Sequence, residues 1–185
     1  MTSTVGAEIV KAWLAVNYAD DPCSVLAQGY YAGAKADLIA HIERRIQTFR
    51  GSQVDETFLL DVLRRIGQID IVIDDGSHRN EHVLQTFAFL FPRLSNPGMY
   101  VVEDTQTSYW SEMGGSSQDL ERRDTSMGFF KKLIDGLNYV EFDRDDYEPS
   151  YYDKHIVAMH FYHSLVFIQK GMNNEGSSAS RWRKR

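Results

Sequence analysis

Two acid-ended, β-branched runs separated by one helix length constrain this chain more than any other feature. The first reads Ile69-Asp-Ile-Val-Ile-Asp-Asp75 and is followed by Gly-Ser-His78. The second reads Gly98-Met-Tyr-Val-Val-Glu103-Asp104. Together with the stretch between them they form the pattern of one β-α-β unit. In an open parallel sheet, side chains just past the carboxyl ends of the strands line the ligand crevice. Asp75, Glu103 and Asp104 are therefore expected at one sheet edge, with His78 beside them. Three hard oxygen donors and a titratable imidazole suggest magnesium-assisted proton abstraction.

The neighbouring sequence extends this unit. Asp55 is a good N-cap, and Phe58, Leu59, Val62, Leu63 and Ile66 make one helical face that Gly67 stops. Residues 79–91 predict the next helix, with Val83, Leu84, Phe87 and Phe91 inward; Pro92 and Asn96-Pro-Gly98 mark its end and a turn. Ile69–Asp75 reads as a mostly buried strand, and Arg45-Ile-Gln-Thr-Phe49 as a short strand ending at Gly51. Residues 105–125 read as a long polar loop carrying Tyr109 and Trp110, which either stack on a sugar ring or pin the loop. Residues 126–138 read as a helix. Residues 139–153 are acidic and tyrosine-rich, either a lid or, as favoured here, a solvated loop. Ile156–His163 and Leu165–Ile168 predict two strands joined tightly near Ser164, closing the sheet in antiparallel fashion. The fold class is α/β with a parallel sheet.

Towards the front, residues 5–19 carry a helical apolar spacing, and residues 20–36 are irregular around Asp-Asp-Pro22. At the other end, Asn173–Arg185 lacks an apolar period and is expected to be a disordered tail of net charge +3, against about −9 for the rest. The overall charge of −6 argues against nucleic acid as the main partner. No apolar run approaches the ~20 residues of a membrane span. A single cysteine, Cys23, excludes an internal disulfide and fits a reducing cytoplasm.

Longer motifs point to a family. Val72-Ile-Asp-Asp-Gly-Ser-His78, Leu90-Phe-Pro-Arg-Leu94, Tyr100-Val-Val-Glu-Asp-Thr-Gln-Thr-Ser-Tyr-Trp110 and His160-Phe-Tyr-His-Ser-Leu-Val-Phe-Ile-Gln-Lys-Gly171 resemble bacterial sugar O-methyltransferases of macrolide biosynthesis. The resemblance covers residues 44–172, which read as a single domain with what precedes them. It implies a Rossmann-like class I methyltransferase sheet, S-adenosyl-L-methionine and magnesium as cofactors, and a glycosylated small molecule as acceptor. Related enzymes assemble, which leaves a homo-oligomer open. By the same resemblance Asp75, Glu103 and Asp104 are the metal ligands and His78 is the general base, its ordinary pKa of about 6.5 suiting that task. Ser52 and Gln53 fall where the family contacts the adenine side of the cofactor, with Asp75 nearby; many relatives carry Asp in place of Ser52.

The family's cofactor site begins with a strand, a glycine-rich turn and a helix. No such fingerprint follows a strand here, and Gln28-Gly-Tyr-Tyr-Ala-Gly33 is a poor match. Asp37 is a candidate for the acid that grips the ribose. If Ser24–Gln28 and Ala36–Ala40 were the first two strands, Gly29–Lys35 would have to cross between them, which is too short for a parallel crossover of about 10–12 residues. The sheet is therefore expected to be incomplete at its N-terminal side. That leaves open a relic that keeps the metal site without a cofactor pocket, and whether Met1 is the true start. A metal-dependent hydrolase is a further reading, but gives no reason for the family-like flanks.

Each motif also has a plain structural reading. Asp74-Asp75-Gly76-Ser77 has the composition of a turn and helix cap. Asp74 precedes the ligand position and should point to the other face of the pleat. His155, His160 and His163 are expected in core or hydrogen-bonding roles, because alternation puts His160 and His163 on opposite faces.

Overall fold

The computed structural model describes residues 47 and 49–177. The readings for residues 5–40, including Asp37 and Cys23, and for the end of the tail lie outside the described residues. So does most of the expected strand at 45–49; Gln47 and Phe49 are not in a strand, and Arg50 forms a single bridge.

Helix α1 spans Glu56–Ile66. The Asp55 carboxylate accepts from Thr57 and Phe58 N–H, satisfying two of the free donors of the first turn, and Gly67 ends the helix at φ +80°. Strand β1 (Ile69–Asp74) leads to helix α2 (Asn80–Leu90), which passes through a 3-10 turn at Phe91–Arg93 into strand β2 (Leu94–Glu103). Helix α3 (Ser126–Gly136), the short helix α4 (Tyr151–His155), and strands β3 (Ile156–Tyr162) and β4 (Leu165–Lys170) follow. The sheet order is β1-β2-β4-β3, with β1 parallel to β2 and the other pairs antiparallel. This is the expected α/β arrangement, closed by the expected hairpin.

Several elements depart from the sequence reading. β2 begins at Leu94, four residues before the run that starts at Gly98. Ile69 pairs with Leu94 but Ile71 with Met99, so Ser95–Gly98 bulges out within the strand instead of forming a turn before it. The Ser95 hydroxyl donates to the Ile69 carbonyl at 2.7 Å and ties the bulge back to β1. β1 is less buried than its apolar run implies: Ile71, on the face away from α2, is 37% exposed. Residues 105–125 are an ordered structure and not an open loop. Thr105–Tyr109 and Ser111–Met113 are 3-10 turns, and Thr105, Thr107 and Ser108 are buried.

In the acidic 139–153 segment, residues 143–150 are a mostly exposed loop, as favoured, but the end at 151–153 is helical and packs inward. Tyr152 stacks on Phe87 with ring centroids 5.4 Å apart, and the buried Asp153 carboxylate accepts from the Tyr147 hydroxyl at 2.7 Å and from Ser150 N–H at 2.7 Å. His155 keeps a hydrogen-bonding role, with Nδ1 at 2.8 Å from the Tyr151 carbonyl. His160 and His163 are exposed instead, because β3 is an edge strand and His163 lies in the hairpin turn. Asn173, expected to begin the tail, is held by bonds from its amide to the Asp153, Leu137 and Gly136 carbonyls.

The core lies between the sheet and α1, α2 and α3. Tyr100, Val102, Val166 and Ile168 rise from the strands to meet Leu59, Val62, Val83, Phe87, Leu90 and Phe130. This packing holds the carboxyl ends of β1 and β2 side by side. Asp74 pairs with Val102, so the residues after each strand emerge at one edge.

Candidate metal centre

Strand alternation sorts the acids at that edge. Asp74 turns inward and is 6% exposed, its carboxylate accepting from the Tyr100 hydroxyl and the Gln53 amide, both at 3.2 Å. Burial pushes Asp74 up from 3.8 to about 7, against the hydrogen bonds from Tyr100 and Gln53, which pull it down. Asp75 turns the other way and stays exposed. Asp74 is thus a structural residue, as the pleat requires.

Asp75, His78 and Asp104 converge, with one ligand atom from each lying within 4.8 Å of the others. His78 Nε2 is 3.4 Å from Asp104 Oδ2 and 3.8 Å from Asp75 Oδ1. His78 and Asp104 both adopt left-handed backbone conformations, at φ +55° and +52°. Such conformations are uncommon for residues other than glycine and persist where surrounding contacts impose them. At Asp104 one such contact is visible: the next residue, Thr105, donates its N–H to the Ser164 carbonyl in the β3–β4 turn at 3.2 Å. Gln106 Nε2 donates to Asp104 Oδ1 at 3.0 Å and orients that carboxylate. Gln106 Oε1 is buried with no hydrogen-bond partner among the described residues.

Glu103 lies outside the tight cluster but within its field. Its carboxyl is raised above the ordinary range, first by partial burial and then by the negative charges of Asp75 and Asp104, with His78 opposing. Asp75 is raised as well, by burial first and by Asp104, again against His78. These acids are short of positive charge. Hard carboxylate oxygens held close, partly desolvated and mutually repelling, fit a divalent cation of the magnesium type.

The expected cofactor residues separate. Ser52 is exposed, whereas Gln53 is 4% exposed and its amide is spent on protein partners. An open crevice of about 350 Å³ between α1 and α2 is lined by Gln53, Leu59, Phe89 and Arg93 among others, and holds none of the clustered side chains.

Two residues that sequence reasoning missed build the surroundings. Asn80 is buried; its Nδ2 donates to the Thr107 and Met113 carbonyls, and its Oδ1 accepts from Ser126 N–H, Ser126 Oγ and Ser108 Oγ. It ties the 105–115 segment to the start of α3, while Tyr109 and Trp110 stay 40% and 45% exposed. The available signal was an asparagine opening a helix that its propensity disfavours. Gln106 offered none beyond its place two residues after Asp104.

Comparison with known proteins gives this geometry a lineage. No family profile matches the chain. It is 47% identical over 135 residues to mycinamicin VI 2''-O-methyltransferase of Micromonospora griseorubida, and equally so to demethylmacrocin O-methyltransferase of Streptomyces fradiae. In both cases the match covers 72% of this chain. Among solved structures, MycE methyltransferase in complex with Mg and SAH matches with a TM-score of 0.67 at 47% identity, covering 71% of this chain. The chain is related in sequence and fold to the macrolide-type sugar O-methyltransferase family. The four-stranded α/β sheet is this family's methyltransferase fold. The chain spans about a third of the length of the relatives it matches, 34% for each of the two curated enzymes. Among the described residues no helix is long and apolar enough to cross a membrane.

Proposed function

We propose that this protein takes part in magnesium-dependent methyl transfer from S-adenosylmethionine to a hydroxyl on the sugar of a glycosylated natural product. The convergence of Asp75, His78 and Asp104 at the ends of two parallel strands is the observation that carries the reading. The relatives named for such acceptors, and a MycE complex with Mg, SAH and mycinamycin VI, support the substrate class.

Asp75, Asp104 and Glu103 would hold the magnesium. Bound there, magnesium lowers the pKa of a coordinated hydroxyl. His78 Nε2 would take the proton from the acceptor hydroxyl, whose oxygen would be the nucleophile for the methyl group that S-adenosylmethionine would supply. The carboxylates of Asp104 and Asp75, 3.4 and 3.8 Å from Nε2, stabilise the imidazolium that results. Ser52, at the surface next to the buried Gln53, would be the residue of that pair to contact the cofactor, together with the exposed Asp75.

The test is calorimetric titration with S-adenosylmethionine, with and without magnesium, followed by methyl transfer assays. Micromolar, magnesium-dependent binding is expected, as is loss of transfer in Asp75→Asn and His78→Ala. If both variants turn over like the parent, the site assignment is wrong. A folded chain that binds magnesium but no S-adenosylmethionine refutes methyl transfer and leaves a metal site without a cofactor pocket.

A further inference from the structure

We propose that Gln53 is a positioning residue that holds the Gly76–Ser77 turn and thereby sets where Asp75 and His78 stand. The inference rests on the metal-centre reading for its consequence, but the positioning itself stands on geometry.

Gln53 is 24 residues from Ser77 in sequence, and its side chain reaches directly under the turn. Its Oε1 accepts the Ser77 N–H at 2.6 Å. Its Nε2 lies 3.2 Å from Asp74 Oδ1 and 3.0 Å from Thr86 Oγ1, so one amide joins the end of β1, the turn and the middle of α2. Thr86 Oγ1 sits 2.8 Å from the His82 carbonyl and 3.3 Å from the Gln53 carbonyl, fixing the amide from its far side. The fit against the turn is tight. A Cβ on Gly76 would lie 2.2 Å from Gln53 Oε1 and 2.8 Å from its Cδ, so only glycine lets the amide lie flat there.

Gly76 and Ser77 lie between the two functional positions, Asp75 and His78. With its N–H held by Gln53, its Oγ turns to His82 Nδ1 at 2.7 Å. The next residue, His78, carries the unfavourable φ of +55°. A left-handed residue persists when the surrounding structure over-determines it. The Gln53–Ser77 bond supplies such a constraint on the 76–77 peptide, one peptide before the Ser77–His78 link. Without it, the 76–77 peptide is free to rotate, which relaxes His78 towards an ordinary backbone and carries Asp75 with it. Partners that orient metal ligands in this way commonly set the affinity of a site.

The experiment compares the full chain with Gln53→Met, which keeps the volume and removes the acceptor, and with Thr86→Val, which removes another Gln53 partner and leaves Ser77 untouched. Amide hydrogen exchange of the metal-free proteins reads the turn, and titration with magnesium reads the site. In Gln53→Met the Ser77 amide should exchange about tenfold faster, as loss of its one anchor implies, with Tyr100 and Ile168 unchanged. Its magnesium dissociation constant should rise roughly 10–100-fold. Thr86→Val, which loosens the amide but keeps the Ser77 acceptor, should have a smaller effect than Gln53→Met on both readouts. Gly76→Ala, which pushes the amide off Ser77, should accelerate the same amide and serves if Gln53→Met fails to fold. Unchanged Ser77 exchange in Gln53→Met or Gly76→Ala, or equal effects in Gln53→Met and Thr86→Val, would overturn the proposal. Faster Ser77 exchange in a protein whose parent binds no magnesium would support the positioning role and overturn the metal-centre reading instead.

Discussion

Replacing Asp74 with Asn should remove a pH dependence of stability that the buried carboxyl imposes on the metal-free protein. Asp74 is 6% exposed, and its burial raises it from 3.8 to about 7. Between these values the folded state holds a proton that the unfolded chain has released. Stability from this group is therefore fully present below about pH 4, declines as pH rises, and is lost above about pH 7. The full displacement corresponds to roughly 4 kcal/mol, and relaxation around the charge reduces that to on the order of 2–4 kcal/mol. Asn fits the site: its carbonyl can accept from Gln53 Nε2, and its amide can donate to the Tyr100 hydroxyl once that hydroxyl rotates. The assay is urea unfolding in chelator from pH 4.5 to 8.5 for both proteins. Asp75 and Glu103 titrate in each, so the difference between the two curves isolates Asp74. The variant should gain on the parent by on the order of 2–4 kcal/mol across that range. Curves that run parallel to within about 0.5 kcal/mol would refute the argument that burial dominates this carboxyl.

Two further substitutions probe the scaffold beneath the site. Lys170 is 3% exposed, and its Nζ donates to the Phe91, Pro92 and Leu94 carbonyls at 3.1, 2.9 and 2.8 Å. Lys170→Met should cost about 2–4 kcal/mol by chemical denaturation, because three carbonyls, two of them in buried bonds, lose their donor; a cost below about 1 kcal/mol would mean water replaces it. Phe87 is fully buried, with the rings of Phe91, Tyr100, Phe130 and Tyr152 at 4.9, 5.0, 5.1 and 5.4 Å. Phe87→Ala should cost about 4–5 kcal/mol and flatten the near-ultraviolet circular dichroism, and a loss below about 2 kcal/mol would show that the cluster closes over the gap.

What could be read from the chain directly is what depends on neighbours in sequence. Asp55 caps α1 through bonds to residues two and three positions on, and Gly67 ends it through its own backbone freedom, so both ends were legible. The period of two in β1 put Asp74 and Asp75 on opposite faces before any packing was known. Parallel pairing of two acid-ended strands was enough to anticipate that Asp75 and Asp104 meet with His78 beside them, whereas Glu103, expected with them, lies outside the tight cluster. The rest depended on contacts between residues far apart in the chain, and a one-dimensional pattern carries no record of those. The Ser95–Gly98 bulge follows from the register of β2 on β1 and from the Ser95 hydroxyl reaching Ile69. Tyr152 looked like part of a solvated loop because acidic residues surround it, yet the space beside Phe87 draws it inward. Gln53 is the sharpest case. By sequence it belongs to the segment before α1, on the side expected to meet the cofactor. Only folding brings its amide under Ser77 and against Gly76, where shape and hydrogen bonding commit it to the turn between Asp75 and His78. Local chemistry determined which residues could form the site, and tertiary packing decided which others would hold them in place.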